Sequence, residues 1–332
     1  MATFNQRDLF LNSDDPELPY RRRNDEEKTS VSYGQRKLLL TVLQFITYFW
    51  DPIKVPKPIC CYAGSAPGLN IEVISELYPE IEFHLYDPNP FKVKKSKMIH
   101  LYRQYFTDKD ATKWAKRNDI LFISDIRTAD YTKAKDLDDN ENQIMRDMMN
   151  QMKWYNIIKP VQAHLKFRLP YTGGSRPSEM EYLDGILFKQ PWAPETSTEC
   201  RLVPYGPDKL KMWNCMKYQS QMFHHNAITR ESIKYLSPFS PAGQGYVDEP
   251  ELMDDYDSLC ETQIILDYLQ KRGAEINIQN TQSLSRLMTK KLGSVTLKFL
   301  RANPRYIKEK NFRSREDNIT CKENTLFKDV IH

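Results

Sequence analysis

The stretch that decides the fold runs from Ile59 to Gly68 and reads Ile-Cys-Cys-Tyr-Ala-Gly-Ser-Ala-Pro-Gly. It starts as a short apolar run, ends in a glycine-containing turn, and is followed by the helix-compatible segment 69–77. This order is typical of the first strand, turn and helix of a nucleotide-binding α/β sheet. Gly64 and Gly68 would let the backbone pass close to a ligand beside the free N–H groups of the helix.

The turn does not follow the Gly-x-Gly-x-x-Gly pattern, so it does not favour a dinucleotide. One acid, Asp87, ends the next apolar segment, 81–86. It lies about 20 residues beyond the turn, where such folds place the carboxylate that binds a ribose. A single adenosine moiety therefore fits, and S-adenosyl-L-methionine is the leading candidate cofactor. The alternative is any other doubly wound α/β domain.

Strand and helix patterns alternate along the chain. Strands are predicted at 58–63, 81–86, 98–102, 119–124, 161–168, 185–189 and 199–204. Helices are predicted at 35–49, 69–78, 108–117 and 141–158, with one or two more within 251–300. Such alternation predicts a Rossmann-like α/β fold, with a mostly parallel central sheet and helices on both faces.

The predicted organisation is a polar N-terminal arm at 1–31, a single domain at 32–300, and a polar tail at 301–332 for which disorder is one interpretation. With 40% hydrophobic and 28% charged residues, the 332-residue chain can form a sizeable core. The longest apolar run, 38–50, is too short to cross a bilayer. No Cys-x-x-Cys spacing occurs, and the pair His224-His225 lacks metal-type spacing, so no metal site is predicted.

Basic residues are unevenly distributed, although the net charge is only +4. Segment 89–117 contains nine Lys or Arg residues against two acids, and segment 286–315 contains ten against one. Such clusters are typical of surfaces that bind polyanions. The alternative is a solvated helix face. Aromatic residues interleaved in the first cluster favour nucleic acid.

Four charged residues sit at the ends or inside apolar elements. Asp125 follows strand 119–124, where ligands bind in open α/β sheets, so it should flank the same crevice as Asp87. Lys166 lies within an apolar strand and must find a carboxylate or a function, unless it faces solvent on an edge strand. Glu199 stands at a strand entrance, and Lys37 begins an otherwise apolar helical run.

In this order, the four residues resemble the Lys-Asp-Lys-Glu tetrad of RNA ribose 2′-O-methyltransferases. More specifically, the chain resembles the poxvirus cap-specific 2′-O-methyltransferase family, whose members also serve as poly(A) polymerase small subunits. The matching blocks are 33–40, 62–68, 123–127, 165–171, 190–194 and 197–202. They follow one another in the same order, across most of the chain.

The resemblance implies that Lys166 is the general base for the ribose 2′-hydroxyl and that Lys37, Asp125 and Glu199 position it. An ordinary lysine, with a pKa of about 10.4, is a poor base at neutral pH. A nearby cation and partial burial are the two effects that adapt a lysine to this role. A sulfonium methyl donor requires no metal.

For the cofactor, the resemblance implies a binding set of six residues: Gln35, Tyr62, Gly64, Gly68, Asp87 and Asp125. The family has a Gly-Arg pair after the ribose acid. Here Pro88-Asn89 follow Asp87, so the contact that the arginine supplies in the family has no counterpart.

For the cap, the resemblance implies that Tyr20 and Tyr171 sandwich a methylated, cationic guanine, which electron-rich rings favour. The family places acids at two further positions, occupied here by Gly173 and Gln219. Glu179 or Glu181 are candidate replacements. The RNA-binding assignment also includes the lysines of the first basic cluster, Lys92, Lys94 and Lys95.

The implied partners are capped mRNA and a poly(A) polymerase catalytic subunit, without a membrane. The implied source is a large DNA virus, with the protein in the host cytoplasm or the virion. Two alternatives remain beside cap methylation. One is a processivity subunit of the polymerase that acts as an RNA-binding module, and the other is 2′-O-methylation of a ribose elsewhere in RNA.

Overall fold

The computed structural model describes residues 1–21, 30, 32–130, 132–239 and 253–293. The predicted tail at 301–332 and the part of the second basic cluster beyond residue 293 lie outside the described residues. Parts of the predicted arm, at 22–29 and 31, lie outside them as well. Among the described helices, none is long and apolar enough to span a membrane.

Twelve strands are formed by the described residues. They are β1 (Ala2–Thr3), β2 (Phe10–Leu11), β3 (Ile59–Ala63), β4 (Glu82–Tyr86), β5 (Ile99–Tyr102), β6 (Ile120–Ser124), β7 (Gln162–Phe167), β8 (Glu179–Leu183), β9 (Gly185–Phe188), β10 (Cys200–Pro204), β11 (Leu210–Asn214) and β12 (Tyr235–Leu236). All seven predicted strands correspond to observed strands, namely β3 to β7, β9 and β10.

The same residues form seven α-helices. They are α1 (Gly34–Phe49), α2 (Leu69–Leu77), α3 (Asp108–Trp114), α4 (Leu137–Ile158), α5 (Cys215–His224), α6 (Tyr256–Lys271) and α7 (Ile278–Leu292). A short 3-10 helix, Gln6–Leu9, precedes β2, and a π-helical turn, His225–Thr229, follows α5.

Eight strands form the central sheet in the order β2-β9-β10-β7-β6-β3-β4-β5. The five strands from β7 to β5 run parallel to one another, and β10, β9 and β2 continue the sheet with antiparallel pairings. From β3 the chain builds outward through β4 and β5, then returns to add β6 and β7 on the other side. The C-terminal edge between β3 and β6 is therefore a switch point, where such sheets bind ligands.

Helices cover both faces of this sheet, which confirms the predicted fold. Neighbouring strand residues alternate between two cores, as the period of a strand requires. Cys60 packs in the core with α1, α2, α6 and α7, whereas Cys61 packs in the core with α3, α4 and α5. Both thiols are buried, so they are packing residues.

A buried ion pair fixes the start of α1. The Arg36 guanidinium donates from Nε to Glu261 Oε2 over 2.7 Å, and Trp192 Nε1 donates to the same oxygen over 2.8 Å. Arg36 and Glu261 are both almost fully buried. Loss of one partner of such a pair costs about 3–5 kcal/mol, because a buried charge is left uncompensated. The contact holds the first turn of α1, which carries Lys37, against α6.

The N-terminal residues differ from the interpretation of 1–31 as an arm and not a core element. Leu9 is fully buried in the main core, and β2 forms one edge of the central sheet through its pairing with β9. The Phe10 ring lies 5.1 Å from the Phe188 ring. Three consecutive apolar residues at 9–11 supply enough buried surface to anchor an otherwise polar segment.

Candidate active site

The glycine-containing turn sits at the C-terminal end of β3. Gly64 and Gly68 have φ values of +81° and +80°, a region that side chains with a β-carbon rarely adopt. A β-carbon at Gly64 would also lie 2.7 Å from the carbonyl carbon of Asp125 and 2.8 Å from the nitrogen of Ile126. The first glycine therefore allows the turn to pack directly on the backbone at the end of β6.

Asp87 fastens the same turn to the end of β4. Its Oδ2 accepts from the Ala66 nitrogen over 3.0 Å. Its Oδ1 accepts from the backbone and side-chain nitrogens of Asn89 over 2.8 and 3.0 Å. A carboxylate offers about four acceptor sites, so a ribose hydroxyl can use the remaining one, and a second hydroxyl can replace the Asn89 side chain.

Gln35 and Tyr62 lie beside this edge of the sheet. The Oε1 atom of Gln35, in the first turn of α1, is buried and has no hydrogen-bond partner among the described residues. Buried polar atoms normally have a partner, so this oxygen is a candidate acceptor for a donor from a bound molecule. Tyr62 is a buried residue of β3. The orphaned oxygen and the glycine turn suit a ligand with amino and ribose groups.

The four tetrad residues converge in one ion-pair network. Lys166 Nζ lies 2.9 Å from Asp125 Oδ1 and 3.5 Å from Glu199 Oε2, and Lys37 Nζ lies 3.0 Å from Glu199 Oε1. All four side chains are between 12% and 14% exposed. Because β7 is an interior strand of the sheet, Lys166 does not face solvent on an edge.

The antiparallel direction of β10 explains how Glu199 reaches this site. Asp125 follows β6, whereas Glu199 precedes β10. Since β10 runs opposite to β7, its beginning lies at the C-terminal edge of the parallel strands. Residues at the end of one strand and at the start of another therefore meet.

Two arginines that the sequence reasoning did not single out join the network. Arg201 Nη2 lies 2.7 Å from Asp125 Oδ1 and 3.3 Å from Glu199 Oε1, and Arg201 is only 1% exposed. Arg127 Nη2 lies 3.8 Å from Glu199 Oε2. The sequence did contain a signal for Arg201, because this residue, like Lys166, is a charged residue inside an apolar strand.

The network holds both carboxyl groups in the ionised form. Burial alone would raise the pKa of Glu199, but Lys166, Lys37 and Arg201 together hold that pKa well below its usual 4.5. Burial likewise opposes ionisation of Asp125, yet Arg201 and Lys166 lower its pKa from 3.8. Burial lowers the pKa of Lys37, and the nearby Arg201 and Lys166 act in the same direction while Glu199 opposes them.

A second pair of predicted residues, Tyr20 and Tyr171, also comes together. Their ring centroids are 6.0 Å apart, and the ring planes are inclined by 28°. Tyr20 is 53% exposed, and its ring contacts Phe223 edge-on at 5.4 Å. The backbone just before it is tied to α5, where Gln221 Nε2 donates to the carbonyl of Asp15 over 3.1 Å.

Gln219 occupies a position where the family resemblance implies an acid. In this structure its side chain makes a contact that supports a loop. Its Oε1 accepts from the Thr172 nitrogen over 3.0 Å, so it supports the loop that follows Tyr171. Glu179 and Glu181 are exposed on β8. A different carboxylate, that of Glu195, lines a cleft beside Tyr20.

Lys92, Lys94 and Lys95 are exposed on the loop between β4 and β5. Val93, between them, is buried, and a β-carbon at Gly68 would lie 2.5 Å from it. The Lys92 nitrogen donates to the Pro67 carbonyl over 2.9 Å. The lysine loop is thus attached to the glycine turn, outside the tetrad network.

Comparison with known proteins gives sequence relatives among poxviruses. The cap-specific mRNA (nucleoside-2′-O-)-methyltransferase of Fowlpox virus (strain NVSL) is 25% identical over 243 residues, which are 68% of this chain and 77% of that protein. The protein of the same name in Myxoma virus (strain Lausanne) is 24% identical over 242 residues, which are 68% of this chain and 70% of that protein.

Among solved structures, the bluetongue virus VP4 structure, described as a multifunctional RNA-capping production line, matches with a TM-score of 0.42 and 13% identity. The match covers 76% of this chain and 48% of that chain. The model of the poly A polymerase regulatory subunit family matches residues 6–275, which is most of the sequence. The chain therefore belongs to the poly A polymerase regulatory subunit family.

Proposed function

We propose that this protein is a cap-specific mRNA 2′-O-methyltransferase, which methylates the ribose 2′-hydroxyl of the first transcribed nucleotide. The observation that carries the proposal is the convergence of Lys37, Asp125, Lys166 and Glu199 in one network at the ligand-binding edge of the sheet. The names of the poxvirus relatives support the same reaction.

In this proposal, Lys166 Nζ accepts the proton of the 2′-hydroxyl. Asp125 and Glu199 fix the position of that nitrogen through contacts of 2.9 and 3.5 Å. A nearby cation is one of the effects that adapt a lysine to the role of base. In this network two lysines and two arginines surround two carboxylates.

S-adenosyl-L-methionine would supply the methyl group. The residues that would hold it are Gln35, Tyr62, Gly64, Gly68, Asp87 and Asp125. Asp87 would accept from the ribose, the buried Oε1 of Gln35 would accept from an amino group, and the two glycines keep the turn free of β-carbons.

Tyr20 and Tyr171 would hold the methylated guanine of the cap. A base between two rings needs about 6.8 Å, which is twice the ~3.4 Å spacing of stacked bases. The ring centroids are 6.0 Å apart, so the rings must move apart, on the exposed Tyr20 side, to admit the base. Glu195 would then provide the carboxylate for the edge of the guanine.

A second candidate function is favoured by the family description. A regulatory subunit of a poly(A) polymerase would bind RNA and stimulate a catalytic partner. The exposed Lys92, Lys94 and Lys95 would contact the RNA backbone in either role. We also propose that the predicted range 32–300, together with the N-terminal residues that pack on it, forms a single methyltransferase domain, and that the protein acts in the host cytoplasm during viral infection.

The decisive experiment supplies labelled S-adenosyl-L-methionine together with RNA that carries a methylated cap, an unmethylated cap or a 5′-triphosphate. We expect label on the first ribose of the methylated-cap RNA. Lys166→Met should reduce this transfer by at least about 100-fold, as removal of a general base does, without changing cofactor affinity. The matched control is Lys54→Met, since Lys54 is 81% exposed.

Equal labelling of all three RNAs would contradict cap specificity, and label on a base would contradict the tetrad mechanism. If no RNA is labelled while the protein still increases the tail length made by a poly(A) polymerase, the second candidate function replaces the first. If Lys166→Met turns over as fast as Lys54→Met, Lys166 is not the general base.

A further inference from the structure

A second cluster of polar side chains lies at the opposite end of the parallel strands from Asp87. Glu82 is the first residue of β4, His84 is two residues further on, and His100 lies in β5. At about 3.3 Å per residue, Glu82 is about 16 Å along the strand from Asp87. The cluster is therefore separate from the proposed methyl-transfer site and has no part in the proposed reaction.

Strand geometry brings the three side chains to one point. Glu82 and His84 are two residues apart and share one face of the sheet, and His84 and His100 are register partners on neighbouring strands. Glu82 Oε1 lies 2.8 Å from His84 Nε2 and 2.9 Å from His100 Nε2. The two imidazole rings stack with centroids 4.4 Å apart.

We propose that Glu82, His84 and His100 form a binding site for Zn²⁺. Their ligand atoms all lie within 4.8 Å of one another. Imidazole nitrogen and carboxylate oxygen are ligands that Zn²⁺ prefers, whereas Mg²⁺ and Ca²⁺ take oxygen ligands. In a tetrahedral site with bonds of about 2.1 Å, ligand atoms lie about 3.4 Å apart, so the contacts need to open by about 0.5 Å.

The surroundings of the cluster suit metal binding. His84 Nδ1 lies 3.0 Å from the Tyr102 hydroxyl, a contact that can orient the ring and leave Nε2 for the metal. The Glu82 and His100 side chains are 37% and 30% exposed, so an ion can enter from solvent. The nearby cation Arg117 is paired with Asp119 at 2.6 Å.

The consequence of the site would be structural. Among the described strands, β5 is an edge strand of four residues that pairs only with β4. Ligands from β4 and β5 on one ion would tie this edge to the body of the sheet. Three protein ligands leave a fourth tetrahedral position for water.

The test uses the full chain after removal of metals with a chelator. The protein is incubated with Zn²⁺, Co²⁺ or Mg²⁺, separated from free ions, and analysed for metal content by mass spectrometry. We expect one Zn²⁺ per chain, no retained Mg²⁺, and the visible absorption of tetrahedral Co²⁺. Less than one retained Zn²⁺ per two chains would overturn the proposal.

Variants assign the site. His100→Asn and Glu82→Gln, both at partly exposed positions, should each weaken Zn²⁺ binding by more than about 10-fold, and Tyr102→Phe by about 10-fold. His224→Asn is the matched control and should bind as the unaltered chain does. Unchanged binding by the Glu82→Gln, His100→Asn double variant, with a native circular dichroism spectrum, would place the metal elsewhere and overturn the proposal.

Discussion

At the scale of single residues, Arg201 shows how the candidate site keeps buried charges together. It lies directly opposite Lys166 on the neighbouring strand, and like charges in such positions repel. Asp125 and Glu199 contact both side chains and offset this repulsion. A guanidinium stays charged where a lysine amine can lose its proton, so Arg201 can remain the fixed cation of the network.

Glu195 allows a residue-scale prediction about cap recognition. Glu195→Gln should weaken binding of a 7-methylguanosine cap analogue by about 10-fold or more, because a hydrogen bond to a charged acceptor contributes about 1.5–3 kcal/mol. Glu181→Gln, on the exposed face of β8, is the matched control. Binding is measured by titrating the analogue into the protein and following the intrinsic fluorescence of the protein. Equal affinities of the two variants would exclude Glu195 from the cap site.

At the scale of elements, the short β2 strand is the part that the sequence interpretation placed outside the core. Two residues are too few to show a period, so no strand pattern could be recognised at 10–11. The longer apolar runs were different, because polar residues or proline delimit them on both sides. The predicted strand 58–63, for example, differs from β3 by one residue at its start.

Leu9→Ala tests whether the N-terminal residues belong to the core. The side chain is fully buried, so its truncation should lower the free energy of unfolding by about 2–5 kcal/mol. Ile53→Ala is the control, since Ile53 is 90% exposed and surface changes are usually within about 0.5 kcal/mol. Urea unfolding measures both. If both substitutions change the free energy of unfolding by a similar, small amount, residues 1–11 are an arm and not part of the core.

The candidate site was predictable from sequence only in part. Lys37, Asp125, Lys166 and Glu199 could be named because each begins, interrupts or ends an apolar run and because together they resemble the tetrad of a known family. The participation of Arg127 depends on the path of the chain after β6, which no local pattern reveals. Helix α5 was also missed, although its buried residues Tyr218 and Met222 are four apart, which is helical spacing.

At the scale of the whole molecule, the buried carboxylates make stability depend on pH. The pKa of Glu199 is lower in the folded chain than its usual 4.5, so the unfolded chain binds more protons between these two values. The stabilisation from Glu199 is therefore complete above about pH 4.5 and is lost as the pH falls through the folded pKa.

We expect the free energy of unfolding to decrease as the pH falls below about 4.5, and Glu199→Gln to reduce this decrease. The difference between the two proteins isolates Glu199 from other carboxylates, and Glu181→Gln is again the control. Urea unfolding at several pH values provides the measurement. Parallel pH profiles for the original chain and Glu199→Gln would contradict the depressed pKa.

The space that a β-carbon would need at Gly64 is filled by the backbone of Asp125 and Ile126. The turn proposed for the methyl donor therefore packs directly on the backbone of Asp125, whose Oδ1 contacts both Lys166 and Arg201. In the proposed reaction, the alignment of methyl donor and base would depend on this one backbone junction, so a substitution that reshapes the turn here would also displace the base.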